Sequence, residues 1–299
     1  MIKELSEFIK LAKERPARRI AVAAAEDEDV LMALQNAVSE GVATPVLIGD
    51  KSKIIRIAES LNFNLDNIEL IESNNNIESC RIAVEMVKTG RAEILMKGLT
   101  KTGDLLKAVL DKQIGLSTGN LISHVAFFQS PYYHKIFCVT DAAMNIAPSL
   151  DEKVQIINNA VSACHHIGIK KPNVAVAAAI ETVNPKMEAT VHASQLKEMN
   201  EKGKIEGCLI EGPLAIDIAF SREAAKHKGV NSEVAGNCDI VLVPDIEAGN
   251  MFYKALNFLG GAATAAIIMG ASAPIVLTSR SDDERSKLLS IALATLIHN

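Results

Sequence analysis

Short apolar runs of four to six residues, each closed by polar punctuation and followed by a helix-period segment, recur along most of the chain. "RRIAVAAAE" (18–26), "TPVLIGD" (44–50), "NIELIES" (67–73) and "AEILMKG" (92–98) set the rhythm. "NVAVAAAIE" (173–181), "GCLIEGP" (207–213) and "CDIVLVPD" (238–245) resume it, and two further runs, "TAAIIMG" and "PIVLTS", precede a last helical segment. Runs that are apolar throughout suit strands covered on both faces, and their alternation with helical segments predicts parallel βαβ units and an α/β fold. With no Trp and only 4% aromatic residues, the core must be built from Ala, Val, Ile and Leu. Residues 121–141, "LISHVAFFQSPYYHKIFCVTD", break the rhythm. Two strand-like runs lie close together around "SPYYHK", which predicts a hairpin and an antiparallel pair.

A chain of 299 residues can form one large core or two modest ones, and the best boundary is "NIAPSL" at 145–150, with its Pro and helix-capping Ser. The formal charge is −5, which disfavours a nucleic-acid partner, since such proteins usually carry a basic field. Five cysteines (Cys80, Cys138, Cys164, Cys208, Cys238) are scattered without CxxC or zinc-ligand spacing, and read as buried, reduced thiols. The first residues form a charged amphipathic helix pattern without a signal peptide's apolar region, and no stretch is long and apolar enough to span a membrane. A cytoplasmic location is expected. The pair His165–His166 falls on adjacent positions of a helix pattern, pointing different ways, and is not expected to hold a metal.

In open parallel sheets ligands sit outside the carboxyl ends of the strands, so the residues after each apolar run are the candidates. "KGLTKTGDLLKAV" places Lys97, Gly98, Thr100, Lys101, Thr102 and Lys107 around a strand–helix junction, where backbone N–H groups and lysine could cradle a phosphate. It is not a Walker loop, and no GxGxxG follows a strand. "TDAAMN" offers Asp141 and Asn145. In "PDIEAGNMFYK" a strand stops at Pro244, Asp245 follows, and Gly249, Asn250 and Lys254 lie in a new helix. A glycine there costs helix stability, so it marks close approach of a ligand or of another backbone. Finally, "PIVLTSRSDDER" (274–285) runs from a strand into a helix start. Ser281 with Glu284 reads as a capping box, with Asp282 and Asp283 favourable at the positive end of the helix dipole. That leaves Ser279 and Arg280, at a strand's carboxyl end, as candidates to meet an anion with hydroxyl and guanidinium donors.

In that order "KGLTKTGDLLKAVL", "TDAAMNIAPSLDEK", "EGPLAIDIAF", "VLVPDIEAGNMFYK" and "PIVLTSRSDD" resemble the phosphate acetyl/butyryltransferase family, more its butyryl branch than its acetyl branch. The resemblance implies a two-domain α/β/α fold of the isocitrate/isopropylmalate dehydrogenase type, with mostly parallel sheets and a cleft between domains. The expected domains are 1–146 plus 267–299, discontinuous, and 147–266. The implied reaction is acyl-CoA + phosphate = acyl phosphate + CoA, with no metal and no cofactor besides coenzyme A as substrate, in a homodimer or larger homo-oligomer. By motif, Ser279 would hydrogen-bond the sulfur, and Arg280 would hold phosphate and the charge developing on the acyl oxygen. The acetyl branch has an aspartate six residues after this Arg as thiol base, whereas Ser286 stands here, so Asp282 or Asp283 becomes the candidate base. The acetyl branch also has an Arg where this chain has Lys107. Two other readings remain at this point. One is a CoA- or acyl phosphate-binding regulator without turnover. The other is a metal- and NAD(P)-dependent decarboxylating dehydrogenase, for which arginine-rich segments and an aspartate cluster are lacking.

Overall fold

The computed structural model describes residues 2–278 and 282–298. Along the chain come α1 (Ser6–Lys13), β1 (Arg18–Ala23), α2 (Glu28–Ser39), β2 (Ala43–Gly49), α3 (Lys51–Ser60), β3 (Glu69–Glu72), α4 (Asn76–Lys88), β4 (Ile94–Lys97) and α5 (Thr102–Val109). The hairpin strands β5 (Ser123–Gln129) and β6 (Phe137–Thr140) follow, then α6 (Leu150–His166), β7 (Asn173–Ala177), α7 (Glu188–Glu201) and β8 (Leu209–Leu214). Two short helices, α8 (Ile216–Phe220) and α9 (Arg222–His227), lead to β9 (Ile240–Leu242) and α10 (Ile246–Phe258). The last elements are β10 (Ala263–Met269), β11 (Ile275–Val276) and α11 (Glu284–Ile297).

The fold is mixed α/β, and the chain divides into two compact units. One comprises Ser6–Asn120 with Ala265–Asn299, the other Met1–Leu5 with Leu121–Thr264. In the first unit the strand order is β3-β2-β1-β4-β11-β10. All of these pairs are parallel except β10–β11, which is antiparallel. In the second the order is β5-β6-β9-β7-β8, with only β5–β6 antiparallel. The expected boundary at 146/147 therefore differs from the observed one at 120/121. The reason is strand pairing: β6 bonds β5 on one side and β9 on the other, which ties 121–146 to the later residues.

Local sequence explains the helix starts. Asp27 caps α2 by accepting from Val30 N–H, and Asn75 caps α4 by accepting from Glu78 N–H. Ser149 and Glu152 form a reciprocal capping box on α6. The apolar strands β1, β4 and β6 are buried along most or all of their length. α11 is buried from Leu289 to Ile297 and packs on α1 and α2, while the Arg15 guanidinium donates to the Leu296 carbonyl at 2.5 Å. No described helix is long and apolar enough to cross a membrane.

Candidate functional site

In the first unit the strand exits are stitched to one another by backbone bonds. Gly98 N–H donates to Ala23 O at 2.8 Å and Leu99 N–H to Ala24 O at 2.6 Å, so the loop after β4 rides on the loop after β1. A Cβ at Gly98 would lie 2.1 Å from Ala24 O. The glycine is thus required by a neighbouring strand's backbone. Lys97, only 6% exposed, turns its ammonium onto the loop's own carbonyls, Gly98 O at 3.1 Å and Thr100 O at 3.5 Å. Thr100 faces the core, where its Oγ1 accepts from Cys80 Sγ at 3.6 Å. The Asn76 amide, at the start of α4, donates to Leu99 O at 2.6 Å and fixes the same loop. Lys101 occupies the N-cap position of α5 without a side-chain cap bond, and Thr102 opens that helix. Lys107 stands one turn further on and lines a small groove of about 180 Å³ with Ile77, Arg81, Asp104 and Asp111.

Ser279, Arg280 and Ser281 lie outside the described residues. The capping box expected of Ser281 with Glu284 therefore lies outside them too; among the described residues Asp283 is the N-cap of α11, and its Oδ1 accepts from Ser286 N–H at 2.8 Å. Burial raises the Asp283 carboxyl, but the Ser286 hydrogen bonds and the charges of Lys287 and Arg285 outweigh it and hold it below its ordinary range. The helix begins where one of its first N–H groups finds the Asp283 carboxylate.

In the second unit the candidates after β6 and β9 converge. Asp141, 3% exposed, accepts from the N–H groups of Ala143 (3.0 Å), Met144 (3.0 Å) and Asn145 (3.1 Å), and from the Asn145 side-chain amide at 2.6 Å. Asn145 also donates to Ile122 O at 2.9 Å. Asp245 caps α10 through Ala248 N–H at 2.8 Å, and Asn250 donates to Ala142 O at 3.4 Å. Gly249 explains itself here. A Cβ would meet Val243 Cγ2 at 2.7 Å, Asp141 O at 2.8 Å and Ala142 Cα at 2.9 Å, so α10 is pressed against the 141–142 backbone. Lys254 goes elsewhere; its ammonium lies 5.6 Å from the ring centroids of both Tyr253 and Phe258.

The structure adds residues that the sequence did not single out. His124 is 4% exposed beneath this cluster, edge-on to Tyr253 at 5.7 Å, with Nδ1 lacking a hydrogen-bond partner. Burial pushes its imidazole below the ordinary value, against the opposing charge of Asp141. Lys153, in the first turn of α6 and 3% exposed, bonds His192 Nδ1 at 3.0 Å. Its pKa is lowered by burial, against the pull of Glu188 and Asp245. Lys287, on α11, is also 3% exposed. Nothing in the pattern marks these lysines, because lysines on helices are usually solvated. His165 and His166 point apart as expected, to Gly207 O and Ser162 O. Among the described residues no group of three or more His, Cys, Asp and Glu is placed to hold a metal ion.

Residues 4–81 and 73–295 match the model of the phosphate acetyl/butaryl transferase family. The chain belongs to that family. It is 44% identical to the phosphate butyryltransferase of Clostridium acetobutylicum over 297 residues, 99% of each chain. It is 43% identical to the phosphate acetyltransferase of Thermotoga maritima over 292 residues, covering 98% of this chain and 99% of that one. Among solved structures, a branched-chain phosphotransacylase from Enterococcus faecalis superposes with a TM-score of 0.81 at 32% identity, over 94% of this chain and 100% of the other. A 4-hydroxythreonine-4-phosphate dehydrogenase from Burkholderia phymatum, at TM-score 0.56 and 13% identity, shares the fold alone. The family makes this chain a phosphate acyltransferase.

Proposed function

We propose that the enzyme moves a short acyl group, butyryl or a close relative, between coenzyme A and inorganic phosphate. The observation that carries the reading is the family match over nearly the whole chain, with phosphate butyryltransferases among its relatives at 44% and 43% identity. A phosphate oxygen attacks the thioester carbonyl, negative charge collects on the acyl oxygen, and the C–S bond then breaks to release CoA thiolate, which takes up a proton. In reverse the thiol must lose that proton before it attacks the acyl phosphate. A thiol of ordinary pKa near ~8.5 is mostly protonated at neutral pH, so a base helps.

Arg280 is assigned to the phosphate and the acyl oxygen, and Ser279 to the sulfur. Asp283 is committed to capping α11, which favours Asp282 as the base of the pair. The loops holding Lys97 to Thr102, Lys107, Asp141 with Asn145, and Asp245 to Lys254 are assigned to substrate binding. Within them, Thr100, Asp141, Gly249 and Asn250 act by shaping backbone, through contacts to carbonyls, N–H groups and core. No resident cofactor is assigned. The dehydrogenase alternative draws only on the shared fold, and the non-catalytic regulator has no observation favouring it. We further propose a cytoplasmic homo-oligomer. Met251 and Phe258, 70% and 65% exposed at helical spacing on α10, with Leu259 at 87%, support self-association.

The test is release of free thiol from butyryl-CoA and from acetyl-CoA, with and without phosphate. All five cysteines are buried, so the native protein adds little thiol background. Phosphate-dependent release, faster with butyryl-CoA, is expected. Arg280→Ala should lower turnover by about 10²-fold or more, in the range for loss of a donor to a developing oxyanion. Wild-type protein that binds CoA without phosphate-dependent release would overturn the reading.

A further inference from the structure

Three lysines are buried among the described residues, Lys97, Lys153 and Lys287. The ammonium of Lys97 meets two carbonyls, and that of Lys287 meets the Asp282 carbonyl and the Asp29 carboxylate. Lys153, in the second unit and 3% exposed, has a single partner, His192 Nδ1 at 3.0 Å. An ammonium can only donate, so Nδ1 accepts and the imidazole is neutral. No carboxylate among the described residues stands within ion-pair distance of it. Glu152, its neighbour, closes the capping box on Ser149, Asp151 is exposed, and Asp245 is committed to capping α10. Glu188, 82% exposed, and Asp245 attract the ammonium only from further away.

Its position adds to the cost. Lys153 lies in the first turn of α6, at the positive end of the helix dipole, where anions are favoured and cations are not. A buried ammonium with one neutral partner, set at a like-signed helix end, destabilises the fold. What is missing is an anion. Burial lowers the pKa of Lys153, and an anion beside it would raise it again.

Topology puts the lysine where such a fold takes its ligands. β6, β9 and β7 are parallel neighbours, and they lead through residues 141–149, 243–245 and 178–187 into α6, α10 and α7. The first turns of these three helices therefore gather beyond the strands' carboxyl ends. α7 starts there without a side-chain cap, so its first N–H groups are further donors at the same end. All of these residues belong to the unit 121–264.

We propose that Lys153 binds a phosphate group of a substrate, set against its ammonium at the carboxyl end of the second unit's sheet. The ligand rests on the reading of function given above. Both substrates carry the group, inorganic phosphate by itself and coenzyme A in its phosphates. The oxyanion supplies the absent charge, while His192 remains the neutral acceptor that orients the ammonium.

The experiment compares wild type with Lys153→Met, which keeps the stem and removes the charge, and with Lys153→Gln, which keeps a neutral donor. Initial rates per folded molecule are taken with butyryl-CoA and phosphate each varied, and folding is followed by circular dichroism. Binding of coenzyme A and of phosphate is measured apart from turnover, by calorimetry. For Lys153→Met, KM and the dissociation constant of one of the two should rise at least tenfold, with the other within threefold. A rise for phosphate places the inorganic anion at Lys153. A rise for coenzyme A places one of its phosphates there. Lys153→Gln should show a smaller rise for the same ligand, threefold or more.

A folded Lys153→Met with both affinities within twofold of wild type would overturn the role. So would a fall in kcat alone, or an equal loss of both affinities, which marks general damage. Should Lys153→Met not fold, Lys153→Gln decides, and affinities within twofold of wild type would overturn the role. Wild type that binds either ligand without phosphate-dependent thiol release would remove the reading of function, and the calorimetric comparison would still decide whether Lys153 holds a phosphate group. Wild type that binds neither would overturn both.

Discussion

Gly249→Ala adds one methyl group to the first turn of α10, a position where alanine would ordinarily stabilise a helix by about 1 kcal/mol. Here the new carbon would lie 2.7 Å from Val243 Cγ2, 2.8 Å from Asp141 O and 2.9 Å from Ala142 Cα. The valine can turn aside, but the other two atoms are backbone. That backbone is held by the N–H groups of Ala143, Met144 and Asn145 closing on the Asp141 carboxylate, and it cannot retreat without loosening them. Overpacking of this kind costs roughly 1–3 kcal/mol, which cancels or exceeds the propensity gain and leaves a net loss of up to about 2 kcal/mol. For a chain of this size the melting temperature should fall by up to roughly 6 °C. Gly103→Ala is the control. It too is a helical glycine, in α5, but a Cβ there meets nothing within 4 Å. That variant should melt at or slightly above the wild-type temperature, with a gain of up to ~1 kcal/mol. Thermal melting followed by circular dichroism, with the three proteins side by side, reads the difference. If Gly249→Ala gains as much stability as Gly103→Ala, close packing of α10 on the 141–142 loop is not what excludes a side chain.

Asp283→Ala should destabilise the α11 start by about 1 kcal/mol or less, as loss of an exposed N-cap does, measured by urea unfolding at neutral pH. Because the folded-state pKa of Asp283 is lowered, its stabilisation is present above the unfolded carboxyl pKa. It is lost as pH falls through the folded one, so the gap between wild type and variant should close under acid. Lys153 behaves in the opposite sense, its pKa lowered by burial. Its charge costs stability at neutral pH, and the cost is relieved as pH rises from the folded pKa toward the unfolded value. Lys153→Met should therefore melt within a few degrees of wild type or above it, even though it leaves His192 Nδ1 without its donor. A loss greater than ~3 kcal/mol would show that the buried ammonium is a net stabiliser.

Much of this architecture could be read from local pattern. Apolar runs gave the strands β1, β2, β3, β4, β7 and β8, and "SPYYHK" gave the β5–β6 hairpin. These follow from one segment's own chemistry. What the pattern did not disclose depends on partners distant in sequence. β10 and β11 look like the parallel strands before them, yet Ile268 and Ile275 pair antiparallel across a short connection. Gly249 announces close approach, but only packing shows that its neighbour is the 141–142 backbone, and that Gly98 is pressed on the 23–24 backbone. Lys97 and Lys287 are indistinguishable in sequence from solvated lysines. Their ammonium groups bond carbonyls close by in sequence, Gly98 O and Asp282 O, but that those stretches are covered is decided by elements distant in the chain. Ser279 and Arg280 stand out in the sequence by type and position alone, and their part in the reaction remains the proposal made above.

The placement of β11 between β4 and β10 bears on synthesis. Residues 121–264 can close their own sheet as they leave the ribosome, apart from the contact of Leu5 with Gln129. Residues 6–120 cannot: the strand that borders β4 and the helix that packs on α1 and α2 both arrive after residue 264. At bacterial and eukaryotic elongation rates of about 5–20 residues per second, the wait is on the order of 10–30 s. Throughout it, the wholly buried strand Ile94–Lys97 presents an open edge beside an uncovered apolar surface, the kind of template on which other chains pair. The half of the molecule made first is therefore the half finished last. Its nascent form, more than the completed enzyme, is where chaperone dependence and expression temperature should exert their effect.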